Sequence, residues 1–256
     1  MTKIIPIEEV IQIVKKAGEI ILDVYHHADF TKIVDFKEDN SPLTTADKAS
    51  HEYIVEALKR LDDGIPIISE EGEETSYNLR KVWEYFWLVD PLDGTKEFLK
   101  RNGQFTVNIA LIEGKKPVLG VIGIPVKDSV YFAEVGKYAR KKTNNQSPIE
   151  LAVNNKHQKL TAIGSKSHAS TEEENVLAGY DVINKISAGS ALKFCKVAEG
   201  EADIYYRHGP TMEWDTAAGQ AIVEAAGGSV CIDSGNVPFH YNKESLLNGS
   251  FICRGF

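Results

Sequence analysis

The sequence predicts a layered α+β fold, a stack of helices and sheets. Three observations carry that expectation. Two amphipathic helical stretches open the chain, strand-length apolar segments fill its middle, and helices alternate with strands in its second half. The 256 residues, 43% hydrophobic and 26% charged, suffice for one large domain or two closely packed subdomains.

Ile7, Val10, Ile11, Val14 and Ile21 recur at helical spacing behind Pro6, which suits a first helical position, so a helix is expected to about Tyr25. Residues 36–44 (FKEDNSPLT) are polar and turn-rich. Thr44 or Thr45 then caps a second helix, with Ile54, Ala57, Leu58 and Leu61 on its inner face. IPIIS (65–69) reads as a short buried strand ending in Glu70 and Glu71, and 72–82 as a polar surface excursion. WLV (87–89) is the next strand, with Trp83 and Trp87 packed beneath it. Segments 105–114, 117–124 and 129–136 follow as an antiparallel meander.

The basic, polar stretch 137–148 marks the expected subdomain boundary. It separates an N-terminal α+β part (1–136) from a C-terminal α/β part (137–256) within one compact unit. Beyond it, 159–165 reads as a strand, Ser190 to Glu199 as a helix stopped by Gly200, and 202–208 as a strand. Asp215 to Ala226 reads as a helix stopped by Gly227 and Gly228, and 229–233 as the closing strand.

A net charge of −8 argues against nucleic-acid polymers as partners; a phosphorylated ligand would need a local cation. Cys195, Cys231 and Cys253 are far apart and form no CxxC, so neither a zinc site nor a disulfide framework is suggested, and they fit small apolar side chains in a reducing compartment. The first residues alternate apolar with Glu8, Glu9, Lys15 and Lys16, unlike a signal peptide, and no run of 18 apolar residues occurs. The cytoplasm is the expected location. A peripheral position at the inner membrane is the alternative, although no basic amphipathic helix supports it.

The chemistry concentrates in WLVDPLDGTKEF (87–98). Asp90 closes an apolar strand, Pro91 fixes the next turn, and Asp93 can swing back to the same side. With the Leu92 carbonyl these are hard oxygen donors, the set that magnesium or calcium prefers. Gly94 and Thr95 offer backbone N–H groups where a helix starts, a place that favours phosphate. Each acidic residue also has a plainer explanation. Asp93 can cap a helix, Asp47 can complete a Thr44-x-x-Asp47 capping box, Asp215 can serve as an N-cap, and Glu71 and Glu97 can be solvated. Spacing alone does not bring them together.

The segments ISEE, DPLDGTKEF and EWDTAAG, in that order, resemble the lithium-sensitive, magnesium-dependent phosphatases of the inositol monophosphatase superfamily. Residues 87–112 and 189–219 resemble its CysQ-type 3'(2'),5'-bisphosphate nucleotidase branch, and TKEF stands where inositol monophosphatases usually read TTNF. The resemblance implies an alternating α/β/α/β/α sandwich with the metal site between two subdomains. It implies two or three Mg2+ ions held by Glu70, Asp90, Asp93, Asp215 and the Leu92 carbonyl, with Glu71 further out. Asp47 and Thr95 would activate the attacking water. Gly94 and Thr95 would contact phosphate, as would the metal-binding residues Glu70, Leu92, Asp93 and Asp215 from their side of the substrate. Gly189, Ser190, Lys193 and Arg207 match positions along the nucleotide, although Lys193 and Arg207 read equally well as surface charges.

The expected reaction is removal of the 3'-phosphate of adenosine 3',5'-bisphosphate, giving AMP and phosphate, a step of nucleotide recycling in sulfur assimilation. An inositol monophosphatase or sugar bisphosphatase of the same superfamily is the nearest alternative. A non-catalytic divalent-metal-binding regulatory protein is the alternative of another class; it would not need Asp47 and Thr95.

Overall fold

The computed structural model describes residues 5–27, 34–36, 42–165 and 170–256. The elements in chain order are α1 (Ile7–His27), β1 (Val34–Phe36), β2 (Pro42–Thr44), α2 (Thr45–Leu61), β3 (Ile67–Ser69), α3 (Tyr77–Arg80), β4 (Tyr85–Asp93), α4 (Thr95–Leu99), β5 (Thr106–Glu113), β6 (Lys116–Ile124), β7 (Ser129–Glu134), β8 (Tyr138–Thr143), β9 (Ile149–Glu150), β10 (Leu160–Gly164), α5 (Thr171–Leu177), β11 (Val182–Ser187), α6 (Leu192–Ala198), β12 (Ile204–Arg207), α7 (Glu213–Ala225), β13 (Ser229–Ile232) and β14 (Phe251–Arg254).

Two sheets organise them. The larger runs β3-β4-β5-β6-β7-β8-β9 and the smaller β11-β10-β12-β14-β13. The β4–β8 meander is antiparallel throughout, while β3 joins β4 in parallel. Side chains alternate across β4 and β5, as the pleat requires. Trp87, Val89, Val107 and Ile109 pack with α1 and α2, whereas Phe86, Leu88, Ala110 and Ile112 pack with α6 and α7. The smaller sheet lies beyond α6 and α7, and its other face packs against Val176 and Leu177 of α5. The layers are therefore α/β/α/β/α, as the resemblance implies.

Helix α7 occupies the middle layer, which explains its run of small residues. A Cβ at Gly219 would lie 2.3 Å from the Phe194 ring, and one at Gly120 of β6 would lie 2.6 Å from the Ala218 carbonyl. Larger side chains there would force the layers apart.

The structure departs from the sequence reading at several elements. The stretch 137–148 contains β8, paired to β7, so the larger sheet continues through the expected boundary. Its polar composition suits a place next to the sheet's edge, where only the two-residue β9 lies beyond it and charge discourages further pairing. The excursion 72–82 contains the one-turn helix α3. Strand β14, absent from the sequence reading, lies between β12 and β13, which makes β13 an edge rather than the closing strand. Its four residues are too few to show periodicity. Helix α5 and strand β11 were likewise illegible; β11 is an exposed edge strand without an apolar face. Around the turn-rich stretch 36–44, Val34–Phe36 pairs with Pro42–Thr44, and residues 37–41 lie outside the described residues. Trp87 is buried against the α1–α2 side, but Trp83 is only partly buried and packs on the opposite side, against Phe86. The three cysteines are free and buried. Among the described residues, no helix is long and apolar enough to cross a membrane.

Candidate active site

A break in strand register creates the site. Asp90 pairs with Asn108 and Asp93 with Thr106, so three steps along β4 oppose two along β5. In a regular strand, residues three apart face opposite sides. The bulge at Pro91 and Leu92 adds the residue that returns Asp93 to the Asp90 face. Helix α2 pins the bulge, since the Ser50 hydroxyl donates to the Pro91 carbonyl at 2.8 Å.

Glu70 follows β3 directly and is carried beside β4 by the parallel pairing; its N–H donates to the Val89 carbonyl at 3.1 Å. Asp215 comes from the opposite direction, at the start of α7. The helix begins at Glu213, so Asp215 is its third residue rather than its N-cap. Its Oδ2 accepts the Met212 N–H at 2.8 Å, which fixes the carboxylate at the helix mouth. Buried Glu213, unnoticed in the sequence, accepts from the Asn242 and Lys243 backbone and from Lys243 Nζ, holding the 242–243 loop against this helix end.

Glu70, Asp90 and Asp215 each bring a carboxylate oxygen to within 4.8 Å of the others. Asp93 does not belong to that tight group. Its Oδ2 accepts instead from Ser190 Oγ and Ala191 N, both at 2.7 Å. Leu92 is placed by its N–H, which donates to Asp90 Oδ1 at 3.1 Å, and its carbonyl lies 3.4 Å from the Thr95 hydroxyl. Glu71 is half-buried.

Such crowding is unfavourable on its own. Burial, followed by the charges of Glu70, Asp93, Asp215 and Asp47, pushes the Asp90 carboxyl well above the usual carboxylate range. Asp215 is raised by burial, then by Asp93 and Glu70, against the lowering effect of the Met212 N–H. All the donors are carboxylates, with no sulfur or imidazole among them, which fits a hard divalent cation such as Mg2+ or Ca2+ and not a soft metal.

The sign of the resulting pH dependence follows. Groups whose pKa is higher folded than unfolded bind more protons in the folded state, so they stabilise at low pH and lose that contribution as pH rises through the folded values. With chelator present, the thermal midpoint should therefore rise as pH is lowered from 8 toward the ordinary carboxylate range, about 4. Asp90→Asn should flatten that slope, and saturating Mg2+ should reverse it, because cation binding requires the ionised carboxylates. Unfolding followed by circular dichroism across pH checks all three.

Asp47 serves the helix cap with one oxygen and meets Thr95 with the other. Oδ2 completes the capping box, accepting from Thr44 N at 2.8 Å and from Thr44 Oγ1 at 2.5 Å. Oδ1 accepts the Thr95 hydroxyl at 3.1 Å. Asp47 is buried, so the cap also orients the second oxygen.

Beside the carboxylates opens a cleft lined by Asp93, Gly94, Gly189, Lys193, Arg207 and Asp215. Its cavity volume is about 180 Å³, and it opens to solvent. Lys193 and Arg207 are not the surface charges that their sequence context allowed. Lys193 is 7% exposed; its Nζ donates to the Ser190 carbonyl at 2.6 Å and lies 5.4 Å from the centre of the Tyr205 ring. Burial pushes its pKa down to about 8, with Asp93 opposing. Arg207 is half-buried and its Nε is enclosed without a hydrogen-bond partner. Glu97 is half-buried and also lines the cleft. Gly94 has φ +95°, a left-handed turn that glycine adopts freely and that starts α4. A Cβ at Gly189 would lie 2.9 Å from the Gln104 carbonyl, so this loop can approach only as glycine. The helix expected from Ser190 begins at Leu192, because Ser190 turns left-handed (φ +57°) toward Asp93.

Thr106 and Asn108 also face this site, and sequence reasoning missed them. The signal was present: two polar residues at i and i+2 in the otherwise apolar run FTVNIALI, on one face of one strand.

The inositol monophosphatase family profile matches residues 6–254. The 3'(2'),5'-bisphosphate nucleotidase CysQ of Salmonella typhimurium is 45% identical over 247 residues, covering 96% of this chain and 98% of that protein. The protein of the same name from Escherichia coli K12 is 44% identical over 247 residues, with the same coverage. The crystal structure of CysQ from Bacteroides thetaiotaomicron, described as a bacterial member of the inositol monophosphatase family, superposes with a TM-score of 0.85 at 43% identity, covering 96% of both chains.

Proposed function

We propose, for a chain that belongs to the inositol monophosphatase family, that it is a Mg2+-dependent 3'(2'),5'-bisphosphate nucleotidase releasing phosphate and AMP from adenosine 3',5'-bisphosphate. The observation that carries this reading is the convergence of Glu70, Asp90 and Asp215 beside the Thr95–Asp47 hydrogen bond. The nucleotidase names of relatives spanning nearly the whole chain support the choice of substrate. A small-molecule substrate and a cytoplasmic location fit the same reading.

In this mechanism Glu70, Asp90, Asp215, Asp93 and the Leu92 carbonyl hold two or three cations, which when bound supply Lewis acidity and charge neutralisation. Thr95 orients the attacking water by accepting one of its protons as a hydrogen bond. As the water attacks, that proton moves to Thr95 Oγ1 while the Thr95 hydroxyl proton moves to Asp47 Oδ1, so the hydroxyl is regenerated and Asp47 ends protonated; the proton then reaches the departing 3' oxygen through solvent. Asp47 is suited to the task because its other oxygen is already committed to the cap. Gly94 and Thr95 face the phosphoryl oxygens at the turn into α4. Gly189, Ser190, Lys193 and Arg207 receive the nucleotide and its second phosphate in the cleft. Displacement is direct, without a covalent phosphoenzyme, and rests on positioning and charge neutralisation.

The test is phosphate release across a panel: adenosine 3',5'-bisphosphate, its 2',5' isomer, the sulfated nucleotide, inositol 1-phosphate and fructose 1,6-bisphosphate, each with and without lithium. The bisphosphate nucleotides should be preferred, with inhibition by millimolar lithium. Lys193→Met and Arg207→Ala should each raise KM for adenosine 3',5'-bisphosphate by about 10-fold or more, as expected for a lost charge-assisted bond of 1.5–3 kcal/mol, and spare inositol 1-phosphate. Equal losses on both substrates would assign the cleft to something other than the nucleotide.

A further inference from the structure

We propose that Thr106, Asn108 and Ser190 are positioning residues for Asp93, fixing one of its carboxylate oxygens so that the other is aimed at the cation. The inference rests on the metal-dependent reading above and goes beyond it, in that it gives three residues outside the carboxylate group a share in cation affinity.

Every hydrogen bond that the described residues make to the Asp93 side chain ends on Oδ2. Ser190 Oγ and Ala191 N donate at 2.7 Å, Asn108 Nδ2 at 3.2 Å, and Thr106 Oγ1 lies at 3.4 Å. The surrounding groups are themselves tied together. Thr106 Oγ1 lies 2.6 Å from Ser190 Oγ and 2.9 Å from Asn108 Oδ1. Thr106 and Asn108 are fully buried on a strand that cannot shift without breaking two ladders. A carboxylate held at one oxygen by donors on two sides has its plane fixed, which leaves Oδ1 as the oxygen available to a cation.

A second observation points the same way. Ser190 is left-handed, a conformation that disfavours residues with a Cβ. The turn puts its hydroxyl on Asp93 and Thr106 while its carbonyl accepts Lys193 Nζ at 2.6 Å. The same loop is anchored to the first half of the chain by Gly189 N, which donates to Gln104 Oε1 at 2.9 Å. Asp93 is thus oriented from two separate sheets, by β5 of the larger one and by the loop that leaves β11 of the smaller one.

The experiment titrates metal-free protein with Mg2+ alone in a calorimeter, with no nucleotide present. Ser190→Ala and Thr106→Val should each weaken Mg2+ binding by about 10-fold or more, while Thr106→Ser, which keeps the hydroxyl, should stay within about twofold of wild type. In turnover, the kcat deficit of Ser190→Ala should shrink as Mg2+ is raised, a response that a purely structural defect would not give. Ser190 is only half-buried, so its alanine variant decides the matter if Thr106→Val fails to fold. Wild-type affinity in both variants, with wild type itself binding Mg2+, would overturn this inference and leave the proposed function standing. A wild-type chain that takes up no Mg2+ would overturn both.

Discussion

Asp215→Asn is expected to lower kcat/KM by about 10³-fold or more and, at the same time, to raise the thermal midpoint of the metal-free protein. The loss follows from removing one of three converging carboxylates, since cation catalysis contributes several kcal/mol and each 1.36 kcal/mol is tenfold in rate. The gain follows from the same crowding. Burial and the charges of Asp93 and Glu70 already oppose ionisation of Asp215, and a neutral amide removes that opposition. Asparagine also keeps the oxygen that accepts the Met212 N–H, so the start of α7 is preserved. Opposite signs for activity and metal-free stability are characteristic of a site strained for function and would not arise from a misfolded variant. Steady-state kinetics and thermal unfolding in chelator measure the two effects. A variant with near-wild-type turnover would remove Asp215 from the cation site.

The second large effect is on chemistry rather than cation binding. Thr95→Ala and Asp47→Asn should each lower kcat by about 10²- to 10⁴-fold, the usual range for general acid–base groups, with little change in KM. The asparagine substitution separates the two functions of Asp47. An amide can still accept from Thr44 N and so keep the cap, but its NH2 group would face Thr95, which then has no acceptor for its proton. Asp47→Ala would also lose its half of the capping box, the bonds from Thr44 N and Oγ1, costing about 1 kcal/mol of stability. Normal thermal stability with a collapsed kcat in Asp47→Asn is therefore the informative result. An effect confined to KM would remove Thr95 and Asp47 from proton transfer.

Much of this site was legible in the chain because its pieces are local. The Thr44–Asp47 box and the turn at Gly94 depend on neighbours a few residues away, and each is found where the spacing indicates, whereas the strand expected to close at Asp90 continues through the bulge to Asp93. Apolar periodicity indicated layered helices and sheets, because it reports which face of an element is covered, whereas the order of the layers was implied only by the family resemblance. Thr106 and Asn108 were missed because a lone polar pair in an apolar strand says nothing of what it faces. Lys193 and Arg207 were ambiguous because a basic residue on a short element is solvated unless another layer covers it. Here the smaller sheet and Phe251 provide that cover. Strand β14 went unread because four residues acquire a β conformation from their partners, β12 and β13, more than from their own preference.

The sequence by itself determined helices α1, α2, α6 and α7 and the meander, the acidic residues available, their likeness to one phosphatase family and the lack of a CxxC pair, since each of these is written in residue type and short-range spacing. Only the tertiary structure decided that Glu70, Asp90 and Asp215 meet, that Asp47 divides its oxygens between a cap and Thr95, and that Asp93 is held from two sheets. The physical reason is that like charges repel at every separation, so nothing local draws these carboxylates together. They are held by the β4 bulge, the parallel β3–β4 pairing and the burial of α7 between two sheets.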